Sequence, residues 1–179
     1  MNPAVTVGVF AAGAMPPGEA VGYIVSQLIG GVLTALVLVA VLGGTATGLG
    51  TPALAHDVPL GAALLTISPV QGFVIEALLA FFLVTVVLST AVAGRAGSLA
   101  PLAIGMTLTL SIMGGALTGA AFNPARALGP RIATGNFTNA WLYVTAPIVG
   151  AILAAIIHGG LMRLAADRTT AAPAALPAE

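Results

Sequence analysis

Gly119-Ala-Ala-Phe-Asn-Pro-Ala-Arg-Ala-Leu-Gly-Pro-Arg131 lies between two long apolar runs and carries two of the chain's five basic side chains. Its Asn-Pro-Ala triplet reads as a helix start. Asn123 is suited to cap free backbone N–H groups, and Pro124 suits the first helical position because its missing N–H is not needed there. Ala125 continues the helix, and Gly129-Pro130 is expected to limit its regular run. The same triplet occurs at Asn2-Pro3-Ala4. Each copy leads into a short apolar segment and then a full-length one. That pattern predicts an inverted repeat whose two short helices meet near a bilayer midplane. Irregular backbone at such depth is tolerated only where protein buries it or where it lines a wet cavity.

Composition agrees with a membrane setting. The 179 residues are 59% hydrophobic and 6% charged, without lysine, which is the balance of a polytopic membrane protein. Net charge is zero, so there is no electrostatic case for nucleic acid. Without cysteine there is no disulfide framework and no thiolate metal site. His56-Asp57 reads as exposed loop and His158 as an interfacial polar residue, neither with metal-ligand company. No nucleophile–base pair, phosphate loop or carboxylate pair is present, which argues against an enzyme and against a cofactor. The start lacks a basic n-region and does not read as a signal peptide.

The chain divides into a membrane domain over residues 1–166 and an Ala/Pro/Thr-rich tail over 167–179, expected to be disordered. Spanning helices are expected at about 20–42, 70–92, 99–117 and 140–162, with half-helices at 3–13 and 124–132. The loop 43–59 is rich in glycine, and residues 60–67 read as packed loop. An offset of 121 superposes Asn2-Pro-Ala and Gly8 on Asn123-Pro-Ala and Gly129, and an offset of 120 superposes Tyr23, Gly30 and Leu33 on Tyr143, Gly150 and Leu153. Residues 2–42 and 123–162 therefore read as equivalent half-repeats, and the helix pair 70–117 calls for a counterpart ahead of residue 2. Arg95 lies in one loop, Arg163 and Arg168 in the C-terminal tail, and four spans put them on one side. The positive-inside rule then sets the C-terminus in the cytoplasm. The Ala/Gly-rich, lysine-free composition points weakly to a bacterial inner membrane.

The motifs together resemble the aquaporin and glycerol-facilitator family, the major intrinsic proteins. They are Asn2-Pro-Ala-Val-Thr6, Tyr23-Ile-Val-Ser-Gln27 with Gly30-Gly31, Glu76, Ala100-Pro-Leu-Ala-Ile-Gly105, and Asn123-Pro-Ala-Arg-Ala-Leu-Gly-Pro130, spanning residues 1 to about 160. The resemblance implies an all-α polytopic fold with two Asn-Pro-Ala half-helices and four of the family's usual six spanning helices. It implies a passive channel and a homotetramer in the lipid bilayer. It also makes this chain an N-terminally truncated member.

By resemblance, Asn2 and Asn123 donate hydrogen bonds to the permeating molecule, within the motifs Asn2-Pro3-Ala4 and Asn123-Pro124-Ala125. The plainer reading of either Asn alone is helix capping. Arg126 matches the arginine of the narrow outer filter, and an arginine at membrane depth is a functional hypothesis in its own right. Ala120 matches a second filter position; the third is Ile112 or Ser111. No histidine is available there, so the constriction is expected to be wider and less polar than a water-only one. Arg131 resembles a basic residue of glycerol facilitators, but Ala127 is not their Asp. Tyr143 fits the water channels, whereas Val144 is not their Trp. Glu76 is expected to accept from backbone N–H groups of either half-helix loop. Gln27 and Tyr23, with Gly30-Gly31 and Gly114-Gly115, read as structural support or close helix packing.

The expected function is passage of water and small neutral solutes such as glycerol, urea or ammonia, with ions and protons excluded. The alternatives are a non-conducting product or assembly partner, and a transporter with broken helices, for which Glu76 alone is poor support.

Overall fold

The computed structural model describes residues 2–171. Six α-helices carry the fold: α1 Pro3–Ala11, α2 Pro17–Leu42, α3 Pro69–Val87, α4 Ala100–Gly114, α5 Pro124–Thr134 and α6 Ala140–Ala171. A π-helical turn, Leu88–Val92, extends α3, and a 3-10 turn, Gly97–Leu99, opens α4. Among the described residues, four stretches are long and apolar enough to cross a membrane: Pro17–Leu42, Pro69–Val92, Gly97–Gly114 and Ala140–Met162. The chain is an all-α polytopic membrane protein.

Local chemistry sets the boundaries. Pro17 occupies the first turn of α2, and Gly43, left-handed at φ 70°, ends it. Ser68 starts α3 through a capping box. The Gln71 amide donates to the Ser68 hydroxyl at 3.3 Å, and the Ser68 amide donates to the Gln71 side chain at 2.8 Å. The short helices α1 and α5 begin almost identically. Asn2 has φ −151° and ψ 113°, and Asn123 has φ −154° and ψ 106°.

The two halves exchange their short helices. α1 packs against α6, and α5 packs against α2. Glycines make the approach possible. A Cβ on Gly8 would lie 3.3 Å from the Ala151 carbonyl oxygen, and one on Gly129 would collide with the backbone of Gly31. These are repeat-equivalent contacts, since Gly8 pairs with Gly129 and Gly31 with Ala151 in the alignment of the halves. Gly150 lies directly on the backbone of Ala77, whereas its repeat partner Gly30 has no described residue within 4 Å of its Cβ position.

That asymmetry gives a paired prediction. Gly150→Ala forces α3 and α6 apart against rigid backbone and should cost about 1–3 kcal/mol. Gly30→Ala meets open space and should gain up to about 1 kcal/mol from helix propensity. Unfolding midpoints of the two variants in detergent check both signs.

Several expectations need correction. Residues 60–67 are not simply packed loop. Val58–Leu60 and Ala63–Leu65 form an exposed antiparallel hairpin, β1 and β2, with Val58 opposite Leu65. The connection is Gly61-Ala62, with Gly61 at φ 62°, a glycine-first pair that suits a tight hairpin. α5 runs to Thr134, two residues past the expected end at 132. The proline deletes one intrahelical bond, but the helix ends only at Gly135, which is left-handed at φ 70°. α4 ends at Gly114 rather than 117, where a second glycine follows. Residues 167–171, expected in the tail, continue α6, because neither Gly nor Pro interrupts the chain between Gly160 and Pro173. Residues 172–179 of that expected tail lie outside the described residues.

Candidate functional site

The loop entering α5 is strained. Gly119, Ala120 and Phe122 have φ of 78°, 45° and 30°, a region that alanine and phenylalanine rarely adopt. Glu76 of α3, completely buried, compensates. Its carboxylate accepts from the Thr118 hydroxyl at 2.6 Å, from the Ala121 amide at 3.0 Å and from the Phe122 amide. Tyr143 of α6 adds a hydroxyl bond to the Thr118 carbonyl at 2.8 Å. Glu76 thus lies against the loop before α5.

With these amides turned toward Glu76, carbonyl oxygens of the loop are free to meet other groups. Phe122 accepts from the side-chain amide of Asn2 at 2.8 Å, which ties the start of α1 to the start of α5. The Asn2 oxygen accepts from the Ala4 amide at 2.9 Å, and the Asn123 oxygen accepts from the Ala125 and Arg126 amides at 3.0 and 3.2 Å. Each asparagine is therefore a helix cap in the strict sense. Two helix N-termini converge on one place, each contributing roughly half a positive elementary charge. Pro3, Ala4, Pro124 and Ala125 are buried behind them.

A cavity of about 600 Å³ lies at this junction, and its wall includes Asn2, Asn123, Arg126, Ala120, Ile112 and Tyr23. A second, of about 430 Å³, continues past Asn123 and Arg126 along α2 toward Leu49 and Gly50. Gln27 borders both. Arg126 faces the open space while its guanidinium donates to the Gly50 carbonyl at 3.0 Å and the Gly119 carbonyl at 3.5 Å. No carboxylate forms an ion pair with it among the described residues. The outcome is a cation held by two loops, with neutral hydrogen-bonding groups and apolar walls around it. Such a surface can hold water or a hydroxyl-bearing solute and repels positive charge.

The remaining expected residues separate in the structure. Ile112, not Ser111, reaches the large cavity; Ser111 is buried away from it. Gln27 is buried and donates to Thr6 at 3.0 Å, so it fastens the first turn of α1 to α2. Tyr23 does not act as a brace: its ring is about half exposed on the cavity wall, and its side chain makes no hydrogen bond among the described residues. Gly31 and Gly115 make close contacts, but Gly30 and Gly114 do not.

Three participants were missed in the sequence. Thr118 and Gly50 carried no signal beyond membership of turn-rich segments. Arg131 was weighed only as a cue to solute; it is 1% exposed and sits under Tyr143 and the loop at Pro52. No group of His, Cys, Asp and Glu among the described residues could hold a metal ion.

The chain is similar in sequence to known proteins. The family profile described as Major intrinsic protein matches residues 1–158. A probable aquaporin TIP1-2 of Oryza sativa subsp. japonica is 40% identical over 162 residues, covering 88% of this chain and 60% of that protein. Aquaporin TIP2-1 of Arabidopsis thaliana is 34% identical over 165 residues, covering 90% and 62%. Nodulin-26 of Glycine max is 39% identical over 164 residues, covering 88% and 55%. The chain thus spans between about a half and two thirds of the length of these relatives. They are plant proteins and lend no support to the bacterial source suggested by composition.

Proposed function

The chain belongs to the major intrinsic protein family, and on that premise we propose that it forms the pore-bearing part of a passive channel for water and small neutral solutes. One observation carries the reading: both asparagine-capped helix starts and the Arg126 guanidinium share a single cavity. A solute there meets the two positive helix ends, which oppose cations and protons, while Arg126 offers donors to water or a hydroxyl. The small, apolar Ala120 together with Ile112 would make the Arg126 level wider and less polar than a water-only filter, so glycerol, urea or ammonia are expected to pass besides water. Asn2 and Asn123 orient the permeating molecule, while Glu76 holds the loop before α5 and Gln27 the first turn of α1. A homotetramer is expected, as is a cytoplasmic C-terminus. The guanidinium of Arg95 lies 3.0 Å from the Met162 sulfur, so the Arg95 loop and the end of the fourth span share one side, which the positive-inside rule makes cytoplasmic.

A second reading is an assembly partner that does not conduct alone. The open face at Gly30 supports it, because the equivalent Gly150 is sealed by α3.

Osmotic flux separates the two. In proteoliposomes the channel reading expects water and glycerol flux above that of empty vesicles, with a weak temperature dependence. Arg126→Val should raise glycerol flux relative to water by roughly tenfold, equivalent to about 1.4 kcal/mol of barrier. Flux no greater than in empty vesicles would leave the assembly-partner reading standing alone.

A further inference from the structure

We infer that Arg131 is a positioning residue for Arg126, acting through the loop at residues 50–52; the inference rests on the reading of Arg126 as the filter cation. Arg131 is almost completely buried and has no ion-pair partner among the described residues. Its hydrogen-bond partners among the described residues are carbonyl oxygens, of Pro52 at 2.7 Å, Ala127 at 3.0 Å and Thr138 at 3.4 Å, with the Tyr143 ring 4.3 Å away and the Glu76 carboxylate acting on it only from a distance. Its Nε has no hydrogen-bond partner. A buried cation without a carboxylate in direct contact is costly, and an apolar side chain would fill the same space with less penalty. Packing alone therefore does not account for it.

What Arg131 holds is informative. Pro52 lies two residues beyond Gly50, whose carbonyl accepts from Arg126. Gly48, Leu49 and Gly50 are all left-handed, with φ of 68°, 51° and 67°. Of the three only Leu49 is strained, since glycine takes positive φ readily. The turn's own bonds, from the Thr51 amide and hydroxyl to the Gly48 carbonyl at 2.9 and 2.7 Å, leave the Gly50 carbonyl to be aimed by what holds the chain just after it. The loop is anchored beyond Pro52 by the Ala55 amide on the Leu117 carbonyl at 2.8 Å, and it is pressed by Gly119, where a Cβ would lie 3.1 Å from Pro52 Cα. The two arginines are five residues apart on α5, about 140° around the helix. One turns to the cavity and the other to the buried side, so a single helix grips the loop at two points. Releasing Pro52 frees the Gly50 carbonyl and takes from Arg126 one of its two carbonyl partners.

The test uses the membrane-embedded protein and two readouts. The first is the water-to-glycerol permeability ratio of the wild type, Arg131→Gln, Arg131→Lys, Arg126→Ala, and Arg131→Gln with Arg126→Ala. The second is amide hydrogen exchange over residues 47–56, which needs no conduction. Arg131→Gln should shift the ratio by about threefold to tenfold, and Arg131→Lys by less. The double variant should match Arg126→Ala alone. Exchange over 47–56 should speed up in both Arg131 variants and least in Lys. A uniform loss of both fluxes, or an equal ratio shift with and without Arg126, overturns the proposal. If the wild type does not conduct, the filter reading fails separately, and wild-type exchange rates in the Arg131 variants overturn the loop-holding role. If Gln prevents folding, the Lys variant carries the same decision.

Discussion

Glu76→Ala should lower the stability of the folded protein by about 3 kcal/mol or more. The carboxylate is the acceptor for the Ala121 and Phe122 amides and for the Thr118 hydroxyl, all within the protein interior. Alanine leaves two buried amides without an acceptor, each costing about 1–3 kcal/mol. The hydroxyl loses less, because Thr118 also reaches the Gly115 carbonyl at 3.3 Å. The left-handed Ala120 and Phe122 then keep their backbone strain without the bonds that offset it. Glu76→Gln should destabilise by less than alanine. In either orientation its NH2 confronts one of the two amides, Ala121 or Phe122, while the remaining oxygen still accepts from the other. The measurement is the thermal unfolding midpoint in detergent, together with the yield of monodisperse protein. A midpoint within a degree or two of wild type for Glu76→Ala would mean that the loop holds its shape without the carboxylate.

The sequence made the repeat readable because its chemistry is local. Asn-Pro-Ala specifies a cap and a first helical position wherever it occurs, and the two copies take nearly the same φ and ψ. Gly8 and Gly129, matched by offset, each touch the opposite half's backbone. Contacts that depend on chain crossing were not readable. Nothing around Arg131 says that a loop almost 80 positions earlier returns to it, and the Pro52 carbonyl is a backbone atom without a residue signature. The hairpin at 58–65 carried its signal in Gly61-Ala62, but flanking apolar residues concealed it as loop packing. The end of α5 was expected at 132, two residues short of Thr134. A proline late in a short helix removes one bond, and the rest of the turn can still form if a glycine is waiting beyond it. Tyr23 belonged to a motif, yet motif membership did not say which way its ring would face.

The convergence of α1 and α5 explains why asparagine, rather than another capping residue, has a consequence beyond the cap. Aspartate caps a helix as well as asparagine does, since the oxygen that accepts the amide bonds is present in both. Asn123→Asp should therefore keep the bonds from the Ala125 and Arg126 amides. What changes is the field. A full negative charge replaces a neutral group where two positive helix ends meet. For a cation passing about 4 Å away, at an effective dielectric constant near 20, the attraction is about 4 kcal/mol. That is roughly a thousandfold in local cation occupancy, reduced to the extent that the Arg126 charge offsets it. Asn123→Asp vesicles loaded with a pH-sensitive dye should accordingly show a cation or proton leak that wild-type vesicles lack, while water flux remains measurable. If the variant folds, conducts water and stays as tight to cations as wild type, the helix ends are not the barrier, and exclusion would have to reside at Arg126 alone.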